Sequence, residues 1–270
     1  MRIKVEHRTT YLYDEPPTSI VQILRLTPRN HEGLQVRNWR IVLDHDAHLA
    51  PGEDAFGNTI HTLTLNRALD DLTVSVEGEV ETLDTGGVLT GAAERFPPGL
   101  YLRDTPLTHA DDAIKTFAKG VAGKREVLDS LHALMGALHD GMAVDEDAPA
   151  TDAARAFAAK TVGGRDLTHV FIAAARSLAI PARFVSGYML REDQVQQKSG
   201  HAWAEAHVPG LGWVGFDAAN ALSPTEAHIR VAMGLDYLGA APVRGSRNGG
   251  AAEHLQVSLT VGQARRQQQN

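Results

Sequence analysis

The stretch TVGGRDLTHVFIAAARSLAIPARFVSGYM, Thr161 to Met189, decides the fold. Leu167, Val170, Phe171, Ala174 and Leu178 recur at the intervals of one helix face, and the helix must end before Pro181. The spacing predicts a helix from near Arg165, with Gly163 and Gly164 at its N-terminus, followed by a buried strand in ARFVSGYML and an exposed loop in REDQVQQKSG. A helix N-terminus presents unpaired N–H groups and a partial positive charge, which stabilise a thiolate or an oxyanion. The segment is built as a seat for a nucleophile, yet it begins with two glycines and the chain contains no cysteine.

A second segment, GHAWAEAHVPGLGWVGFD, runs from Gly200 to Asp217. Pro209-Gly210 is a strong turn signal, so HAWAEAHV and LGWVGFD read as a hairpin centred on Pro209. That register sets His201 directly opposite Asp217, with Cβ atoms about 4.5–5.5 Å apart, and lets the carboxylate orient the imidazole. His201, Trp203 and Glu205 then share one face with Trp213, Gly215 and Asp217. Ala202, Ala204 and Ala206 meet Val214 and Phe216 on the other. GLGWVG matches the dinucleotide fingerprint by letter, but a strand follows it where the phosphate-cradling geometry needs a helix.

Composition bounds what such a site can serve. With 270 residues, 43% of them hydrophobic, the chain can bury a core of one large or two modest domains. A formal charge of −7 with interspersed signs offers no basic stripe and argues against nucleic acid. No apolar run approaches the ~20 residues of a membrane span, and MRIKVEHRTTYLY alternates where a signal peptide would be continuously apolar. The expectation is a cytoplasmic protein with no membrane partner. Zero cysteines exclude disulfides, thiolate metal sites and thiol catalysis by this chain.

The first third is rich in Val, Ile, Thr and Tyr in short alternating runs split by turn residues, which predicts a β-sandwich-like domain over 1–88. DHDAH, Asp44 to His48, carries metal-ligand types but reads as part of a solvated turn before LAPGED. Gly, Pro and polar residues without a period mark a linker over 89–106. Beyond it DDAIKTFAKGV, REVLDSLHALMGALHDGM and TDAARAFAAKTV have helical periods, with Asp152 a candidate N-cap. They open an α+β core over 107–270 that ends in the polar tail QARRQQQN, expected to fray.

These motifs, VGGRDLTH, AIPARFVSGY and GHAWAEAHVPGLGWVGFD, follow in order a pattern of the bacterial transglutaminase-like proteins of the papain-like cysteine hydrolase superfamily. That pattern runs Gly-Val-Cys-Arg/Gln-Asp-Phe-Ala-His, an apolar helix, then the HAWAE and GW-FD motifs. HRTTYLYDEPP, LRLTPR and DAFGN resemble the β-rich domain that precedes this core, and HIRVAMGLDY with APVRG resembles its end. The resemblance implies that His201 is the general base, Asp217 its orienting acid and Gly164 the position of the nucleophilic cysteine. Arg165, Asp166, His169, Trp203 and Glu205 are the expected binding residues around them. Gly163 in place of valine and DLT in place of Asp-Phe-Ala argue that the cysteine was lost naturally.

A glycine cannot attack a carbonyl, so the resemblance implies a pseudoenzyme that binds a peptide or partner protein in the relic cleft, without a cofactor. The family's association with ATP-grasp-type ligases implies such a partner. A working hydrolase or transamidase with a replacement nucleophile or metal is the first alternative. Thr168, about one turn from Gly164, is a weak substitute, and His201, Asp217, Asp166 and His169 have zinc-binding chemistry, although His169 reads better as a hydrogen-bonded core residue. A structural subunit of a peptide-modifying complex is the second alternative.

Overall fold

The structure, a computed structural model, describes residues 1–264. Its first third consists of strands whose side chains alternate between core and solvent: β1 (Arg2–Tyr13), β2 (Ser19–Leu24), β3 (Leu34–Leu43), β4 (His48–Glu53), β5 (Thr59–Leu65) and β6 (Asp71–Thr82). There follow β7 (Val88–Leu89), a 3-10 helix (Pro98–Leu102), α1 (Asp112–Ala122), α2 (Val127–Gly141), β8 (Ala143–Val144), α3 (Ala153–Ala159), β9 (Thr161–Val162) and α4 (Gly164–Ser177). The chain ends with β10 (Ala182–Met189), β11 (Gln196–Gln197), β12 (His201–Val208), β13 (Gly212–Phe216), β14 (His228–Gly234), α5 (Tyr237–Ala240), β15 (Val243–Asn248) and β16 (Glu253–Gln263). The Asp152 carboxylate accepts from the Arg155 N–H at 2.9 Å, capping α3 as its position predicts.

Two sheets, ordered β11-β16-β1-β6-β3 and β15-β2-β5-β4, enclose one core that includes Tyr11, Ile20, Leu24, Leu63 and Val74. The third sheet, β14-β10-β12-β13-β7, packs Phe184, Ala204, Ala206 and Phe216 with Phe171 of α4. The periodicity of α4 marks one apolar face, but its residues from Asp166 to Arg176 are all buried, because α1, α2 and α3 cover the side the sheet does not. Arg176 is tolerated there because its guanidinium donates to Ala182 O, Leu235 O and Thr108 Oγ1.

The domain boundaries expected from the sequence need correction. β16 pairs with β1 from Ile3↔Gln263 to Tyr13↔Glu253, and β15 pairs with β2, so the C-terminal strands belong to the N-terminal sheets and not to a core running to residue 270. They occupy edges that β1 and β2 would otherwise expose. The segment 89–106 is not a free linker: β7 extends over Leu89 to pair with β13, Tyr101 is fully buried, and Glu94 pairs with Arg183. Asp44 to Ala47 form the turn expected before LAPGED, which itself begins in an edge strand, β4, and the loop REDQVQQKSG contributes β11 to the first sheet. Ile3, Val5 and Val261 pack on Tyr188, Ile229 and Val231, so the sandwich and the core share buried surface. Gln263 lies within β16, and the rest of the tail expected to fray falls outside the described residues after Ala264.

Candidate active site

Gly163 caps α4 in an extended conformation, φ −68° and ψ 154°, and the N–H groups of Asp166 and Leu167 both return to its carbonyl at 3.0 Å. The N–H groups of Gly164 and Arg165 find no hydrogen-bond acceptor among the described residues. Gly164 does not have positive φ. A Cβ built there would meet Ala219 Cβ at 3.9 Å, an ordinary contact. The backbone therefore does not demand glycine at this position, and a side chain would fit. Thr168 is no replacement nucleophile, since its buried hydroxyl donates back to the Gly164 carbonyl at 2.9 Å.

The hairpin keeps its expected faces but not its expected register. Val208 pairs with Gly212 and Ala204 with Phe216, so the loop is Pro209-Gly210-Leu211 and the hairpin is centred on Gly210. Gly210 and Gly212 adopt φ of +83° and +84°, the left-handed region that makes this longer loop cheap. His201 and Asp217 are therefore diagonal neighbours, not directly opposed. They nevertheless meet, His201 Nε2 lying 2.6 Å from Asp217 Oδ2. Across the ladder from His201 stands Gly187, beside an irregularity in the β10–β14 pairing. A Cβ on Gly187 would run into Ile229 O and the Trp203 ring, so only glycine allows the strands this approach.

Asp217 is fully buried and accepts from five donors: His201 Nε2, His228 Nε2 and Asn220 Nδ2 on Oδ2, and the N–H groups of Ala219 and Asn220 on Oδ1. Burial pushes its carboxyl up, but the hydrogen bonds from His201, His228 and Asn220 outweigh burial and hold it well below the usual carboxylate range. An ionised carboxylate only accepts, so His201 carries its proton on Nε2 and a neutral ring leaves the Nδ1 lone pair free. No hydrogen bond reaches that Nδ1 among the described residues. His228 escaped the sequence reading; its one legible sign is a histidine opening a strand, as His201 does.

A cleft of about 250 Å³ lies over these groups, lined by Gly164, Arg165, Asp166 and His201 with Glu146 and Tyr237 on its rim. Arg165 stacks over the Tyr237 ring at 4.6 Å and donates to Asp166 at 3.2 Å. The remaining expected binding residues lie elsewhere. His169 is fully buried, its Nε2 accepting from the Tyr237 N–H at 3.1 Å. Trp203 is buried, packing edge-on to His228 at 5.4 Å. Glu205 is buried with both oxygens engaged by Arg183 and Arg230. All three are framework rather than cleft wall, because hydrophobic burial and ion pairing consume the groups that would meet a ligand.

The metal reading fares poorly on proton bookkeeping. Donor atoms of His201, Asp217 and His228 lie within 4.8 Å of one another, whereas Asp166 and His169 do not join them among the described residues. His228 Nδ1 accepts from the Thr225 N–H at 3.1 Å, which places the ring proton on Nε2, facing Asp217. That ring has no lone pair for a cation. Asp44 and His45 approach Asp71 on the surface, where Asp44 accepts from the Thr73 N–H and closes a strand end.

Residues 3–81 match the bacterial transglutaminase-like N-terminal region and residues 115–218 the transglutaminase-like superfamily. An uncharacterized protein of Mycobacterium leprae is 27% identical over 96% of this chain and 98% of its own length. One of Mycobacterium tuberculosis is 25% identical over 90% and 87%. The crystal structure of a candidate cysteine protease from Cytophaga hutchinsonii superposes with a TM-score of 0.76 at 18% identity, over 97% of this chain and 98% of that one, and so shares its fold. With both regions matched in order and the fold shared over nearly its whole length, the chain belongs to the bacterial transglutaminase-like proteins, and it contains no cysteine.

Proposed function

We propose that this protein is a transglutaminase-like pseudoenzyme that binds a peptide or protein ligand in the cleft over α4 and does not cleave it unaided. One observation carries the reading: Gly164 has room for a side chain and lacks one, while the His201–Asp217 pair beside the same cleft is intact. Covalent acyl-enzyme chemistry needs a nucleophile within reach of the base. Thr168 is tied to backbone, and the buried threonine offers no substitute. The free N–H groups of Gly164 and Arg165 suit a carbonyl oxygen, and Arg165 with Glu146 gives the mouth both signs of charge.

The test joins binding to turnover. Glutaminyl peptides titrated by calorimetry should bind the wild-type protein, and Gly164→Val, which fills the cleft floor, should weaken that binding. Ammonia or peptide release should be absent. Turnover of the peptide by the protein alone, with no other nucleophile added, that vanishes in His201→Ala at equal purity would contradict the assignment.

A further inference from the structure

We infer that the cleft accepts a thiol carried by its ligand, which His201 deprotonates for attack on a bound ester or thioester, making the chain an acyl-transfer catalyst whose nucleophile arrives with the substrate. The inference rests on the relic-cleft reading above and names the chemistry of what the cleft receives.

Three features converge on it. The His201 side chain is only 7% exposed, lines the cleft, and turns toward Asp217 the nitrogen that must carry the proton. Its Nδ1 is left as an acceptor with no protein donor among the described residues, on a ring that lines the cleft. A ligand X–H group satisfies it. Second, the N–H groups of Gly164 and Arg165 are unclaimed at the positive end of a 14-residue helix. Third, the space a Cβ would take at Gly164 is open to 3.9 Å, enough for a methylene bearing the reacting atom.

The class of X–H follows from its acidity. An ordinary thiol titrates at about 8.5, low enough among X–H groups for an imidazole base to take its proton, and its anion is favoured by the helix end. An ammonium would enter against the same positive end. In the step, the S–H bond breaks and the proton moves to His201 Nδ1. The sulfur electron pair forms a bond to the acyl carbon, whose oxygen takes up the carbonyl π pair. When that pair returns, the bond to the leaving oxygen or sulfur breaks, and His201 gives its proton to the leaving group. The products are a new thioester and the free alcohol or thiol, with no oxidant or reductant required.

The experiment follows p-nitrophenolate release from p-nitrophenyl acetate with no thiol, with 2-mercaptoethanol, and with a tripeptide bearing a central cysteine. Wild-type protein should accelerate release only when thiol is present, with a rate that saturates in thiol and exceeds that of His201→Ala at least tenfold. His201→Gln, whose amide can still donate to Asp217, serves as the folded comparison and should lose the acceleration equally. Saturation with 2-mercaptoethanol alone supports a small-molecule thiol, and saturation with the tripeptide alone supports a peptide-borne one. Rates linear in thiol and equal in all three proteins overturn the inference and leave the pseudoenzyme reading standing. Thiol-independent release that requires His201 overturns both.

Discussion

His201 and Glu205 lie on the same face of β12, and each anchors a buried polar cluster. Around Glu205 the charges close on themselves. Arg183 donates to Glu205 at 2.7 Å and to both oxygens of Glu94 at 2.7 and 2.9 Å, while Arg230 donates to Glu205 at 2.7 Å. The Arg183 guanidinium also lies 3.8 Å over the Trp213 ring. Burial pushes Glu205 up, yet Arg230 and Arg183 prevail and hold it down at about 2. Asp217 is equally sealed, and equally depressed by its hydrogen bonds against burial, but its network ends on an imidazole nitrogen that opens to the cleft. A displaced pKa alone would not separate the two clusters. The unspent acceptor does.

The largest effect expected on this comparison comes from the closed cluster. Arg183→Met leaves buried Glu205 with Arg230 as its one remaining arginine and strips Glu94 of its partner, and removing one member of a buried ion-pair cluster costs up to about 3–5 kcal/mol. His201→Ala removes one of five donors to Asp217, for about 1–2 kcal/mol. Urea unfolding of both variants should give that order. The reverse order would mean that the open cluster carries the fold and the closed one does not.

Acid should act on both clusters together. Glu205 is held at about 2 in the folded protein against about 4.3 unfolded, so its stabilisation is complete above the unfolded value and is lost as pH falls towards 2. Asp217 has the same sign. An earlier stage belongs to His7 and His31, which burial holds down at about 4. The unfolded chain binds those protons near 6.5, so stability declines from about pH 6.5 to 4. Unfolding midpoints over pH 7 to 3 should show both stages, and His7→Phe should make the upper one shallower. Stability that stays flat down to pH 4.5 would contradict the burial of these histidines.

The smallest effect is a control far from either cluster. Asp152→Ala removes the cap of α3 and should cost about 1 kcal/mol, with ligand binding in the cleft unchanged. A change in binding would show that α3 is coupled to the site.

Local signals carried well in this chain. The apolar intervals of α1 to α4, the Asp152 cap and the two faces of the hairpin were all legible, because each depends on residues near one another in sequence. The register slipped because the hairpin turns about Gly210 and not Pro209, which shifts every pairing by two residues and so preserves the faces. Tyr101 and Glu94 were hidden because isolated side chains inserted from an irregular segment have no period. The return of β15 and β16 to the N-terminal sheets is a long-range pairing that no local pattern specifies. Glu205 and Trp203 were misplaced for a related reason. They share a face with His201, but that face turns inward beyond its first residue, and only the packing of Tyr101 and Met233 reveals it.

The central claim is that the site lacks a nucleophile and nothing else, and Gly164→Cys tests it most directly. The backbone accepts the side chain without positive φ, with Ala219 Cβ 3.9 Å from the new Cβ. The thiol would stand at the N-terminus of α4, where free N–H groups and His201 lower its pKa. Its alkylation by iodoacetamide near neutral pH should be faster than that of an exposed model thiol, and should slow when His201→Ala is added. A folded Gly164→Cys protein whose thiol reacts no faster than the model, with or without His201, would contradict the account and leave α4 and the dyad as framework alone.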